Sequence, residues 1–111
     1  MTVNYKEMVV GQTLTAAPVL YYTAPALTQA SITAVSICNP TGAPVTVNLY
    51  KVPAAGSAGA TTRIASRILA AGATLSLPDA VNHKLAPGTQ IYADGLACTL
   101  NVSGVEFIPG T

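Results

Sequence analysis

Apolar and polar residues alternate with a period of two along most of the chain, and no helical period is sustained for ten residues. The alternation is clearest over Val45–Val52, where Val45, Val47 and Leu49 point one way and Thr46, Asn48 and Tyr50 the other. This predicts a strand with one face in a core. Upstream, residues 32–39 are rich in Ile, Val and Thr, and the turn-forming segment Asn39-Pro40-Thr41-Gly42-Ala43-Pro44 joins the two stretches, which predicts a hairpin. Residues 53–62, PAAGSAGATT, read as a long exposed connection to a strand over residues 63–69. A turn at Ala71-Gly72 leads to a short strand over residues 74–77. LPDAVNHKLAPG, residues 77–88, has the Pro and Gly of a structured corner with at most a turn of helix. Asp94-Gly95, flanked by residues 90–93 and 96–102, carries the strongest two-residue hairpin signal in the chain. In the last strand Cys98, Leu100 and Val102 share a face that Val105 and Phe107 take over across Ser103-Gly104, which predicts a β-bulge at Gly104.

Seven or eight short strands separated by turns make an all-β chain, a single small β-sandwich or jelly-roll-like domain, with a small closed barrel as the alternative. Residues 18–111 form the sandwich domain in this reading. Residues 1–17 fit it least: Val3, Tyr5, Met8 and Val9 are apolar but have no turn partner nearby. They are either an N-terminal arm that adds a strand to a neighbouring subunit or the first strand of their own sheet.

The chain has 111 residues, of which only 8% are charged against the roughly 25% usual in soluble domains. Much of its surface must therefore be small and polar, which tolerates contact with other protein. A net charge of +1 argues against the dense basic patch that nucleic acid requires. His83 is the only histidine, with Asp79 four residues before it. Ser76 and Ser103 lie in strand-like contexts without a nucleophile elbow, so neither a catalytic triad nor a metal site is expected. Gly56-Ser57-Ala58-Gly59 spells a GxxG clamp but lacks flanking helices and basic residues. Cys38 and Cys98 form no CxxC motif and read as two free thiols. Neither a signal peptide nor an apolar run long enough to span a bilayer is expected.

The residues expected at protein contacts are Val3, Tyr5 and Met8 of the first segment, one of the adjacent pair Tyr21 and Tyr22, and Arg63 and Arg67, which sit at odd positions of one strand and so share a face, with Lys51 near them. Tyrosine suits such a place because a large apolar ring carries a polar tip.

YTAPA at 22–26, ITAVSICNPTGAPVTVNLYKVP at 32–53, RILAAGATLSL at 67–77, KLAPGTQIYADG at 84–95 and TLNVSGVEF at 99–107 together resemble small β-sandwich virion proteins of tailed bacteriophages. The resemblance covers nearly the whole chain after residue 18 and includes no catalytic motif. It implies a capsid decoration or cement protein that binds across neighbouring major capsid subunits and stabilises the head. The implied partners are the major capsid protein and copies of the chain itself, as dimer or trimer, and the implied contacts are the first segment and the 53–62 loop. It implies no enzyme activity, cofactor, nucleic acid, membrane or small-molecule substrate, and a place on the capsid surface after synthesis in the bacterial cytoplasm. A tail, neck or fibre subunit of the same virions is the alternative. A carbohydrate-binding sandwich fits less well, because Trp is absent and aromatics are 5% of the chain.

Overall fold

The computed structural model describes residues 2–109; Met1, Gly110 and Thr111, assigned above to the first segment and the sandwich domain, lie outside the described residues. Nine antiparallel strands build two sheets: β1 Thr2–Thr13, β2 Val19–Thr23, β3 Gln29–Cys38, β4 Val45–Val52, β5 Arg63–Leu69, β6 Thr74–Ser76, β7 Lys84–Leu85, β8 Gln90–Asp94 and β9 Thr99–Ile108. One sheet has the order β1-β9-β3-β6, with β7 also on β3, and the other has the order β2-β8-β4-β5. This is the all-β sandwich the alternation predicts, wound as a jelly roll in which the chain passes repeatedly from one sheet to the other. Ile32, Ile37, Val47, Leu49, Leu69, Ile91, Leu100 and Val102 fill the space between the sheets and are at most 1% exposed.

Both predicted hairpins are overturned by that winding. β3 and β4 lie in different sheets, joined by an arch that the buried Asn39 side chain organises. Its Nδ2 donates to the carbonyls of Ala43 at 2.9 Å and Leu69 at 3.0 Å, while its Oδ1 accepts from the Thr41 amide at 3.0 Å and the Thr41 hydroxyl at 2.6 Å. The Asn-Pro-Thr-Gly string is therefore a sheet-to-sheet corner, since one side chain satisfies backbone groups of the arch itself and of the end of β5. β8 and β9 are likewise separated, because Gly95 donates to the Thr15 carbonyl at 3.0 Å and Cys98 returns to the Gly95 carbonyl at 3.0 Å. Gly95 has φ 150°, and a Cβ there would stand 2.5 Å from Val47 Cγ1, so glycine is needed for the close crossing.

The irregularity predicted at Gly104 lies in the two flanking strands instead. β9 runs straight, whereas Met8 is an extra residue of β1 between Glu7↔Ser103 and Val9↔Val102. Thr33 is an extra residue of β3 between Ile32↔Gly104 and Ala34↔Ser103. Leu100, Val102, Gly104 and Glu106 thus all face inward, and Val105 and Phe107, expected in the core, face out.

Candidate functional site

The outer face of the five-stranded sheet carries two cross-strand rows near its open end. Val3, Phe107 and Gln29 form one, and Tyr5, Val105, Ser31 and Lys84 the other. Their direction follows from the straight run of β9: with Glu106 turned inward, the residues on either side of it must turn outward. Val3 is 50% exposed and Tyr5 85%, and Leu27, in the turn before β3, is 81% exposed. Leu27 also has φ 60°, a left-handed conformation that costs a leucine of order 1 kcal/mol. Neither burial nor backbone geometry calls for a leucine there. An apolar hollow of about 190 Å³, lined by Leu27, Gln29, Pro87, Phe107 and Pro109, opens on this face.

Beneath the rows, the inward Glu106 carboxylate is only 5% exposed. Oε2 accepts from the Tyr22 hydroxyl at 2.5 Å and Oε1 from Asn4 Nδ2 at 3.4 Å. Tyr22 belongs to β2 of the opposite sheet, so this bond joins the two layers where the hydrophobic core ends. A second buried carboxylate, Asp94, accepts from the Tyr50 hydroxyl at 2.6 Å and from Asn48 Nδ2 at 2.8 Å. Burial, and then the adjacent Glu106, holds the Tyr22 hydroxyl far above its ordinary range. Burial and Asp94 push Tyr50 up to about 12, against a smaller opposing pull from Arg63.

A raised folded-state value means that the unfolded chain loses these protons first. The stability they contribute is complete below the ordinary tyrosine value of 10.0 and is lost as pH rises through about 12. Urea midpoints measured at pH 8 and at pH 11.5 are expected to fall sharply, and the Tyr22→Phe/Tyr50→Phe variant is expected to lose that part of the fall. An equal fall in wild type and variant would count against the assignment.

The remaining expected contact residues distribute as follows. Met8 and Tyr22 are buried, 6% and 8% exposed, and support the surface from within instead of forming it, because the β1 bulge turns Met8 inward and Tyr22 is drawn to Glu106. Tyr21 is the extra residue of a bulge between Leu20↔Tyr92 and Tyr22↔Ile91, half-buried against the core. Arg63 and Arg67 do not share a face, since the extra residue Ile64 reverses the alternation: Arg63 stands opposite Tyr50 and Arg67 opposite Val47. Arg67 meets Asp79 at 2.7 Å across the sandwich edge, with both side chains nearly half exposed, a pair worth at most about 1 kcal/mol after solvent screening. Lys51 lies beside Arg63 across the sheet, its amide donating to the Thr62 carbonyl at 2.8 Å, and its ammonium reaches the Lys84 carbonyl at 3.4 Å. Cys38 and Cys98 are free, and burial pushes the Cys98 thiol up.

Among the described residues no three of His, Cys, Asp and Glu lie close enough to hold a metal ion, and no helix is long and apolar enough to cross a membrane. Leu27, Val105 and Phe107 are the surface residues that pattern reading missed. The signal for Leu27 was a large apolar side chain directly after the turn-forming Pro25-Ala26.

No family model and no curated protein matches this sequence. Among solved structures, the chain is similar to a subunit of the Bacillus endospore appendages, described as disulfide-linked pili, at 16% identity and a TM-score of 0.55 over 98% of this chain and 90% of that one. It is also similar to a chain of the infectious bursal disease virus Gx strain, at 15% identity and a TM-score of 0.52 over 98% of this chain. It spans 33% of that viral chain, about a third of its length. At such identities the likeness is one of architecture: the chain has a jelly-roll sandwich fold similar to those found in a pilus and in a virus particle.

Proposed function

We propose that this chain is a non-enzymatic structural subunit of a virion, a decoration or cement protein that binds across neighbouring major capsid subunits and reinforces a phage head. The observation that carries the reading is the outer face of the five-stranded sheet, where Val3 and Tyr5 stand exposed and an apolar hollow lined by Leu27, Pro87, Phe107 and Pro109 opens. Contiguous apolar surface of this kind on a small domain is surface meant to be covered. With only 8% charged residues, little electrostatic steering or repulsion opposes close packing of many copies. Weak contacts then add through multivalency, so a shell is reinforced by total covered area and no single strong anchor is needed. The phage resemblance of the sequence and the architectural likeness to a pilus subunit and a viral chain support an assembling role. The mechanism needs no cofactor, metal or nucleic acid.

The test is copy number per purified particle, by quantitative mass spectrometry against the major capsid protein. A ratio near one, or a simple fraction of it, is expected for decoration. A few to some dozens of copies would assign the chain to tail, neck or fibre, and absence from particles would overturn the virion reading.

A further inference from the structure

We propose that the N-terminal half of β1, Val3 to Glu7, is a seam at which two copies of this chain join edge to edge about a two-fold axis through Tyr5. β1 is the outermost strand of its sheet, so one side of its backbone faces no other strand. Exposed edges of this kind template pairing with another chain unless they are guarded. The C-terminal half of β1 is guarded by two bulges. Met8 is the extra residue of the first, and the second, between Val9 and Gln12, is fixed by Gly11 at φ 56° and its amide bond to Asn101 Oδ1 at 2.8 Å. The half from Val3 to Glu7 has no bulge and pairs with Phe107 to Ser103 in unbroken register. In this half Val3 and Tyr5 are 50% and 85% exposed, and its two charged residues, Lys6 and Glu7, are of opposite sign and fall together at its C-terminal end.

The occupant that fits is the same segment of a second copy, and charge restricts the register. A two-fold axis normal to the sheet keeps inner faces together, so it must pass through a residue and not between two. An axis at Lys6 would set two ammonium groups opposite each other, and one at Glu7 two carboxylates; like charges directly opposite are destabilising. An axis at Tyr5 pairs all five residues: Tyr5 with its own copy, Asn4 with Lys6, and Val3 with Glu7. It gives a cross-strand aromatic pair on the outer face and no opposed like charges. The two five-stranded sheets become one continuous sheet, and the apolar outer rows of both copies come to lie side by side on one surface. Five residue pairs make a small interface, so the isolated dimer is weak and dissociates in the micromolar range.

The inference names a contact within the assembly reading above, and its test uses isolated protein, so the two fail separately: a monomer that is abundant on particles would sink this seam alone. Sedimentation velocity from about 1 to about 100 µM spans the expected association. Wild type is expected to dimerise, Tyr5→Lys to weaken association at least tenfold, and Ile68→Lys, on the other sheet and 73% exposed, to leave it unchanged. Because Tyr5 meets its own copy, Tyr5→Lys mixed with Tyr5→Glu is expected to restore dimers that neither variant forms alone. Circular dichroism confirms that the variants remain folded. A wild type monomeric throughout, an undiminished Tyr5→Lys dimer, or a mixture that does not restore association would each overturn the proposal.

Discussion

Gly104→Ala is expected to destabilise the domain by at least about 3 kcal/mol, the upper end of what overpacking costs. A Cβ at this position would overlap the terminal methyl of Met8 and stand 2.5 Å from the Ser31 carbonyl oxygen. The methionine can swing away, but the carbonyl belongs to a neighbouring strand of the same sheet and cannot move without breaking the ladder. Both flanking strands bulge at this level, and glycine in β9 leaves the room for Met8 to fold inward. At 4–8 °C per kcal/mol for a domain of this size, a fall of roughly 12–24 °C in the melting temperature follows. Gly42→Ala is the control, because a Cβ there meets nothing within 4 Å. A Gly104→Ala protein that melts within about 2 °C of wild type would refute this account of the double bulge.

Tyr22→Phe is expected to cost about 2–3 kcal/mol, since it strips a buried carboxylate of its short bond and leaves only the 3.4 Å contact from Asn4. In a Glu106→Leu background the same change is expected to cost close to nothing. With the carboxylate gone, no buried acceptor is left unsatisfied, and two apolar groups can occupy the space. The comparison is a double-mutant cycle by urea denaturation, and groups in direct contact should show a coupling well above the few tenths of a kcal/mol typical of independent sites. Additive costs would mean that the bond does not join the two sheets. The cycle bears on the candidate surface as well, because the residues on either side of Glu106 in β9, Val105 and Phe107, lie in the outer rows above it.

The strands with a clear alternation of their own, β3, β4, β5, β6, β8 and β9, were legible; β2 and β7 were not, and β1 reads equally as an arm. Val45–Val52 needs no knowledge of its partner to show which side is apolar. Pairing was not legible, because a turn signal reports that the chain bends and not into which sheet it returns. Asn39-Pro40 and Asp94-Gly95 bend as expected, yet remote groups decide where they lead: the Leu69 carbonyl held by Asn39, and the Tyr50 hydroxyl that holds Asp94. The same limit explains the misread last strand. A buried glutamate is costly unless paired, so apolar pattern alone assigns Val105 and Phe107 to the core, and only Tyr22, 84 residues away in sequence, reverses that choice. Val3 and Tyr5 were identifiable as contact candidates from their apolar character in a segment without a local partner. Leu27 was not, since an isolated exposed leucine is ordinary until its neighbours in space are known.

The position of β9 between β1 and β3 constrains how the molecule can be made. On a ribosome β9 emerges after both strands it must join, so β1 waits through the synthesis of the seven strands between them without its hydrogen-bonding partner. Closing such long-range pairs is slow, and unpaired edges exposed meanwhile invite association between nascent chains. The sparse charge of the chain, 8% of its residues, offers little protection in that interval. Timing, as much as final stability, then bears on the yield of folded chains.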